Sequence, residues 1–377
     1  MFEAPHSDAR CLEPASIEEA VALLAQEWQN KRAILVGDIP PNDRLLGEST
    51  SLVSLRHLNR ITEIDRVNAL IVAEAGVTVG ELCEATESLG WWCPALRWLP
   101  ADTRVGAAVA GGHGMRTRHY GAVPDYLLGM AFVAPSVGLV RHGGKAIKNA
   151  TGYNLTAMVA GSRGELGVIL QVIIRLVPKP TGRRIQQLEF VDSNRAWDAA
   201  RTLADVSLGA EAITLASPLN AGPSCLLLEV DAYSAESSQK IMTALSKRAV
   251  DLGGSTLDQF PWSRTAAKSV MVSRGGVDPA ELKASALRCL RVGHERQLTG
   301  WLRGEATTGA LELAALSGPR NTVQDILSES QVVSRAPVSP LRASLRAAFD
   351  PDCLLRTEEA PLLFPSFPDR PSPFFKG

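Results

Sequence analysis

The chain has 377 residues, 39 Lys+Arg against 40 Asp+Glu for a net charge of −1, and 45% hydrophobic residues. That length allows two domains with a substantial core, and the balanced charge gives no electrostatic case for nucleic acid or for a polybasic membrane contact. Aromatics at 5% disfavour base-stacking platforms, no basic-then-apolar leader opens the sequence, and no apolar run reaches the length of a membrane span. The expectation is a cytoplasmic chain whose membrane association, if any, comes through partner subunits.

Ser16-x-x-Glu19 is a capping box that opens a helix to about Asn30, with Leu23, Leu24 and Trp28 on one face. Strands follow at Ile34–Val36, near Leu52–Ser54 and at Leu70–Ala73. Thr78-x-x-Glu81 is a second capping box, and Gly90 ends its helix as a C′ residue. Residues 100–129 then read PADTRVGAAVAGGHGMRTRHYGAVPDYLLG. Small residues dominate from Gly106 to Gly114, so the run buries little apolar area of its own. It suits a chain pressed along a large cofactor, with backbone amides facing phosphate and ring heteroatoms. It is not a G-x-G-x-x-G fingerprint, and no phosphate loop of the G-x-x-x-x-G-K-[ST] type occurs.

The stretch Gly143–Pro180 is the most informative. Gly161-Ser162-Arg163-Gly164-Glu165-Leu166-Gly167-Val168-Ile169 puts three glycines into a turn that opens into a β-branched run. Glycine accepts positive φ and lets another surface approach the backbone. Such a turn can lay main-chain groups against a flat ligand, or can simply join helix to strand. Lys179-Pro180-Thr181-Gly182 reads as a domain boundary. Beyond it come a strand Ile185–Val191, a helix Asn194–Ala204, strands Ala212–Leu215 and Cys225–Val230, and a helix from Ser234 to Leu252 stopped by Gly253-Gly254. Asp278-Pro279-x-Glu281 starts another helix, two strands follow, and a helix begins at Thr322. The helix Pro340–Ala348, with Leu341, Leu345 and Ala348 on one face, reads as packing. A proline-rich tail, Pro361–Pro373, follows.

The features Val105-Gly106, Tyr120-Gly121-Ala122-Val123, Asp125–Gly129, Gly143-Gly144, Lys148-Asn149, Gly152-Tyr153-Asn154 and Met158–Pro180 resemble the FAD-binding domain of the vanillyl-alcohol oxidase / p-cresol methylhydroxylase (PCMH) type. Within that superfamily the chain is most similar to the FAD-binding subunit of bacterial glycolate oxidase (glycolate dehydrogenase). The similarity spans roughly Ala33 to Pro180. It implies an α+β, PCMH-type two-subdomain FAD-binding fold with a smaller α+β cap domain. The matching division is 1–180 for the FAD domain, 181–335 for the cap, and 336–377 for a C-terminal helix and tail returning to the FAD domain.

The pattern also departs from the family. The first strand is followed by Gly37-Asp38-Ile39-Pro40-Pro41-Asn42, where one glycine remains, two prolines remove donors and Asp38 is negative. Arg104-Val105-Gly106-Ala107 stands where a Thr-x-Gly-Gly core is usual, and Arg104 is a candidate for the missing positive charge. At the other end, Asp350-Pro351 keeps the first part of a closing motif and loses an Asn-Pro-Gly segment.

The resemblance implies FAD, held non-covalently, by Gly37, Gly76, Pro100, Ala101, Asp102, Thr103, Gly106, Ala107, Gly111, Gly112, His113, Gly114, Tyr120, Gly121, Glu165, Leu166, Gly167, Val168 and Ile169. His119 is the candidate proton-handling group near a 2-hydroxy acid. Lys148 and Arg118 are candidates for substrate or partner contact, and Arg97 and Arg116 for a carboxylate. A solvated surface residue is the plain alternative for each of these cations, and Tyr153 reads as a packed aromatic. The six cysteines, at 11, 83, 93, 225, 289 and 353, form no ligand-spaced set. An iron–sulfur cluster would therefore belong to another subunit, and no metal site is expected. The partners implied are a second flavoprotein subunit and an iron–sulfur subunit. Three functions stand open: an FAD subunit of a glycolate dehydrogenase complex, a stand-alone FAD oxidoreductase for another small hydroxy acid or alcohol, and a scaffold that has lost FAD.

Overall fold

The computed structural model describes residues 10–37, 49–96, 99, 101–111, 120–145, 154–205, 209–218, 222–257, 271–276, 282–295, 300–305, 310–315 and 340–356. These fall into two compact units. One takes the described residues of 10–111, 122–178 and 340–356, and the other takes 120–121 and 179–315.

The first unit begins with β1 (Arg10–Leu12), α1 (Ile17–Gln29), β2 (Ala33–Val36) and β3 (Thr50–Val53). β3 pairs in parallel with both β1 and β2. Ser16 caps α1 by accepting the Glu19 amide at 3.1 Å, while the Glu19 carboxylate reaches back to Ala15 N–H at 2.8 Å. The reciprocal bond thus lands one residue before the N-cap. Leu24 and Trp28 are buried and Leu23 is half-buried. Next come β4 (Ile61–Asp65), β5 (Leu70–Glu74), α2 (Val79–Glu87), β6 (Trp91–Trp92), α3 (Val105–Gly111), β7 (Leu127–Ala134), β8 (Gly138–Gly143), α4 (Leu155–Val159), β9 (Val168–Arg175) and β10 (Val177–Pro178). Their main sheet is antiparallel, in the order β4-β5-β9-β7-β8. Pro135, which breaks the apolar run 129–140, sits in the turn of the β7–β8 hairpin. A common core packs Leu24, Ile34 and Val53 with Ala75, Val133 and Val168. The buried Glu74 carboxylate is held by Arg60 Nη2 at 2.8 Å and by the Arg60 amide at 2.9 Å.

The second unit contains β11 (Gly182–Phe190), α5 (Ser193–Asp205), β12 (Ala212–Pro218), β13 (Ser224–Ala232), α6 (Ala235–Asp251), β14 (Ser255–Leu257), β15 (Met271–Gly276), α7 (Leu282–Glu295), β16 (Gly300–Glu305) and β17 (Ala310–Ala315). Its seven strands form one antiparallel sheet in the order β14-β11-β13-β12-β16-β17-β15. Strand alternation turns Leu188, Phe190, Leu226 and Leu228 towards Trp197 and Leu245 of the helices. On the opposite parity Arg183 meets Glu229 at 3.1 Å and Asp231 at 3.6 Å, both acids buried. α6 begins on its Ser234 cap and ends at Leu252 before Gly253, whose φ is +94°.

The chain then returns to the first unit through α8 (Pro340–Phe349) and β18 (Leu355–Arg356). β18 pairs in parallel with β2 and completes a sheet in the order β1-β3-β2-β18. On α8, Leu345 is half-buried and Ala348 is exposed, so the expected apolar face is only partly used. Phe349 instead lies 6.1 Å from the Phe132 ring. The helix expected from Thr322, the start signal Asp278–Glu281 and the tail Pro361–Pro373 lie outside the described residues.

Candidate cofactor-binding site

A helix start leaves four amides without intrahelical partners, and α2 accounts for all of its own. Val79 N–H goes to Thr103 O and Gly80 N–H to Ala101 O, both at 2.8 Å. Glu81 N–H takes Thr78 Oγ1 at 3.2 Å, and the Thr78 amide itself donates to the Glu81 carboxylate at 2.8 Å. The α2 N-terminus is therefore filled by the chain. Its effect on segment 101–104 matters more. In a planar trans peptide C=O and N–H point in opposite directions. With the carbonyls of 101 and 103 turned onto α2, the amides of Asp102 and Arg104 face away from it. Ala101 and Asp102 are exposed and Thr103 is half-buried.

The small-residue run begins as a helix. Residues Val105–Gly111 form α3. Alanine is the best helix former, and Gly106 lets the helix start press on β5. Its amide donates to Ala75 O at 2.8 Å, and an added Cβ would stand 2.7 Å from Ala75 Cβ. Gly106 is buried, Ala107 exposed and Gly111 half-buried. Gly76 has a similar reason: a Cβ there would lie 2.0 Å from Leu55 O, and its amide donates to Leu58 O. Arg104 Nη1 donates to Gly76 O at 2.8 Å, so part of the guanidinium is directed at the chain's own backbone.

The turn after α4 is built differently. Gly161, Arg163, Gly164 and Gly167 have φ of +74°, +58°, +82° and +155°. Gly161 N–H donates to Val109 O at 2.9 Å and Arg163 N–H to Ala110 O at 2.7 Å. These bonds join the two glycine-rich segments directly. Gly167 sits against β7, where a Cβ would meet Phe132 Cδ2 at 2.7 Å and Val133 O at 2.8 Å. Gly164 has nothing within 4 Å of its Cβ position among the described residues. Leu166, Val168 and Ile169 are buried, and Glu165 is half-buried. The side chains of Leu166, Val168 and Ile169 thus belong to the core, leaving the open face to backbone.

The remaining candidates are scattered. Gly37 is half-buried and its amide donates to Val53 O at 3.0 Å, so that donor serves the β2–β3 pair. Tyr120 and Gly121 are half-buried, with Gly121 at φ +76°, and they are grouped with the second unit. Pro100, Gly112, His113, Gly114, Arg118, His119 and Lys148 lie outside the described residues, as do Arg97, Arg116, Tyr153 and the segment Asp38–Asn42. The sequence reading missed Thr156. Its hydroxyl on α4 is buried with no hydrogen-bond partner among the described residues. Nothing local distinguishes that threonine from a packed one.

Titratable groups here are structural. The Thr78 amide and then its hydroxyl hold the Glu81 carboxyl below its ordinary range. Burial pushes the Cys93 thiol up to about 12 and Cys225 to about 11, which keeps both neutral and poorly nucleophilic. Among the described residues no group of three or more His, Cys, Asp or Glu could hold a metal, and no helix is long and apolar enough to cross a membrane.

Residues 9–143 match the FAD binding domain family. Over 167 residues the chain is 31% identical to glycolate oxidase subunit GlcD of Bacillus subtilis, covering 42% of this chain and 33% of that protein. It is 29% identical over 174 residues to a D-lactate dehydrogenase of Anaerostipes hadrus, covering 45% of this chain and 36% of that one. A D-2-hydroxyglutarate dehydrogenase of Stutzerimonas stutzeri is 26% identical over 176 residues, with 45% and 37% covered. The chain thus spans well under half the length of these relatives. Among solved structures, p-cresol methylhydroxylase with substrate bound matches with a TM-score of 0.69 at 16% identity, over 91% of this chain and 86% of that one. Alkyldihydroxyacetonephosphate synthase also gives 0.69, at 14% identity, over 91% and 76%. The fold is therefore the α+β FAD-binding fold of the PCMH type, as the resemblance implied.

Proposed function

We propose that this chain binds FAD non-covalently and takes part, as one subunit of a heteromeric complex, in oxidising a small 2-hydroxy acid. Glycolate, oxidised to glyoxylate, is the substrate we favour, from the likeness to the GlcD subunit. One observation carries the reading. The unit that contains the FAD-family match presents an outward amide at Asp102 and a backbone face at Gly164 that is open among the described residues. The buried, unpartnered Thr156 hydroxyl offers a further polar group. Such groups fit a ligand with a diphosphate and a flat polar ring.

Bound FAD would supply the hydride acceptor for the substrate carbon. The amide of Asp102 would meet phosphate charge. Among residues outside the described set, His119 is assigned the hydroxyl proton, and Arg118 and Lys148 the substrate carboxylate or a partner's acid. The second unit is assigned the cap-domain role that the resemblance implies. With no ligand-spaced cysteine set, onward electron transfer falls to an iron–sulfur subunit, beside a second flavoprotein subunit. A scaffold without FAD is the second reading, favoured by the Gly37 amide that is already bonded to Val53.

The test is an absorption spectrum of the purified protein, with flavin released by heat and identified, then anaerobic addition of glycolate, D-lactate and D-2-hydroxyglutarate. A yellow protein releasing FAD and bleached by glycolate is the expected result. Bleaching only by another acid reassigns the substrate, and a yellow protein bleached by none assigns this chain to electron relay. A protein that stays colourless with excess FAD supports the scaffold.

A further inference from the structure

The buried Asp350 ends α8 in an unusual way. Its Oδ1 accepts Leu354 N–H at 2.7 Å and its Oδ2 accepts Leu355 N–H at 2.9 Å. This two-point clamp closes a turn in which Cys353 takes φ +53°. It aims Leu354 O at Ile34 N–H, 2.6 Å away, and so seats β18 on the side of β2 away from β3. Leu354 and Leu355 enter the core that also holds Ala75 and Val168. Ala75 carries the start of α3 through the Gly106 amide, and Val168 follows directly on the turn 161–167.

The other end of the segment reaches the same neighbourhood. Ser136, in the β7–β8 turn, donates its hydroxyl to Ala348 O at 2.6 Å and to Phe349 O at 3.0 Å, capping α8 from outside. Phe349 packs on Phe132, the ring that any Cβ at Gly167 would strike. Residues 340–356 therefore reach both halves of the candidate site, through the core they share with Ala75 beside Gly106 and through the Phe349–Phe132 pair beside Gly167.

We propose that residues 340–356 form a strap whose seating is coupled to cofactor binding, with Asp350 as its positioning residue. The coupling rests on the FAD reading above. Coupling is reciprocal: if a seated strap tightens FAD binding, FAD must tighten the strap.

The test uses the full chain, as wild type, Asp350→Ala and Ser136→Ala. FAD affinity is titrated by flavin fluorescence, folding is checked by near-UV circular dichroism, and amide exchange is followed at Ile34, Leu354 and Leu355 with and without FAD. The expected results are a loss of affinity of about tenfold for Asp350→Ala and about threefold for Ser136→Ala, with FAD slowing exchange at the three amides at least about fivefold. A folded variant of either kind that binds FAD as the wild type does, or FAD that leaves the three amides unchanged, overturns the strap and leaves the function standing. If Asp350→Ala does not fold, Ser136→Ala and the wild-type exchange decide. Wild type that takes up no FAD overturns the function, and the coupling falls with it.

Discussion

α3 and the turn 161–167 are both short and glycine-bearing, and hydrogen bonds join them, yet their glycines answer different needs. Gly106 in α3, like Gly76 before it, is small because the chain's own backbone or a neighbouring β-carbon occupies the space a side chain would take. In the turn, Gly167 shares that reason, whereas Gly164 is a glycine for its backbone angle and faces open space among the described residues. Glycine density alone does not separate close packing from ligand approach. The direction in which the missing Cβ would point does.

Substitution by alanine breaks or sharpens that contrast. Gly76→Ala has the largest expected effect, because the new Cβ would stand 2.0 Å from a backbone oxygen. A loss of about 3 kcal/mol or more is expected in denaturant unfolding. Gly167→Ala follows, at about 2–3 kcal/mol by the same measurement, since the flexible neighbour is a Phe132 ring but Val133 O is fixed. Gly164→Ala meets no neighbour among the described residues and carries only the strain of φ +82°. It should lower the melting temperature by about 2–4 °C while weakening FAD binding by more than that loss of stability accounts for. Equal FAD affinity in a folded Gly164→Ala protein would remove that face from the site.

The smallest effect concerns the filled α2 end. Glu81 is held below its ordinary range by the Thr78 cap. Its contribution is therefore full above the unfolded-state value and is lost as pH falls through the lower folded value. Solvent exposure keeps it small. Glu81→Gln should flatten the acid limb of a melting-temperature profile and leave the neutral region nearly unchanged.

Local chemistry was the legible part of the sequence. The caps at Ser16, Thr78 and Ser234 and the stop at Gly253 are readable because donor and acceptor lie within a few residues of each other. β4 escaped notice because Ile61-Thr62-Glu63-Ile64-Asp65 is short and half polar. α3 went unmarked because seven small residues carry too little periodicity to announce a helix. The site depends on contacts the sequence does not display. The Gly161–Val109 bond spans two separate segments, and the turn of 101–104 is set by α2. Asp350-Pro351 looked like a turn, and nothing nearby marked its carboxylate as a buried clamp.

The return of β18 to β2 also has a consequence for biosynthesis. A ribosome delivers Ile34 long before Leu354, with the whole seven-stranded unit emerging in between. β2 must wait through that interval with one edge unpaired, although the second unit can fold as soon as it is out. The unit that holds the FAD-family match is thus started before the seven-stranded unit and closed after it during translation.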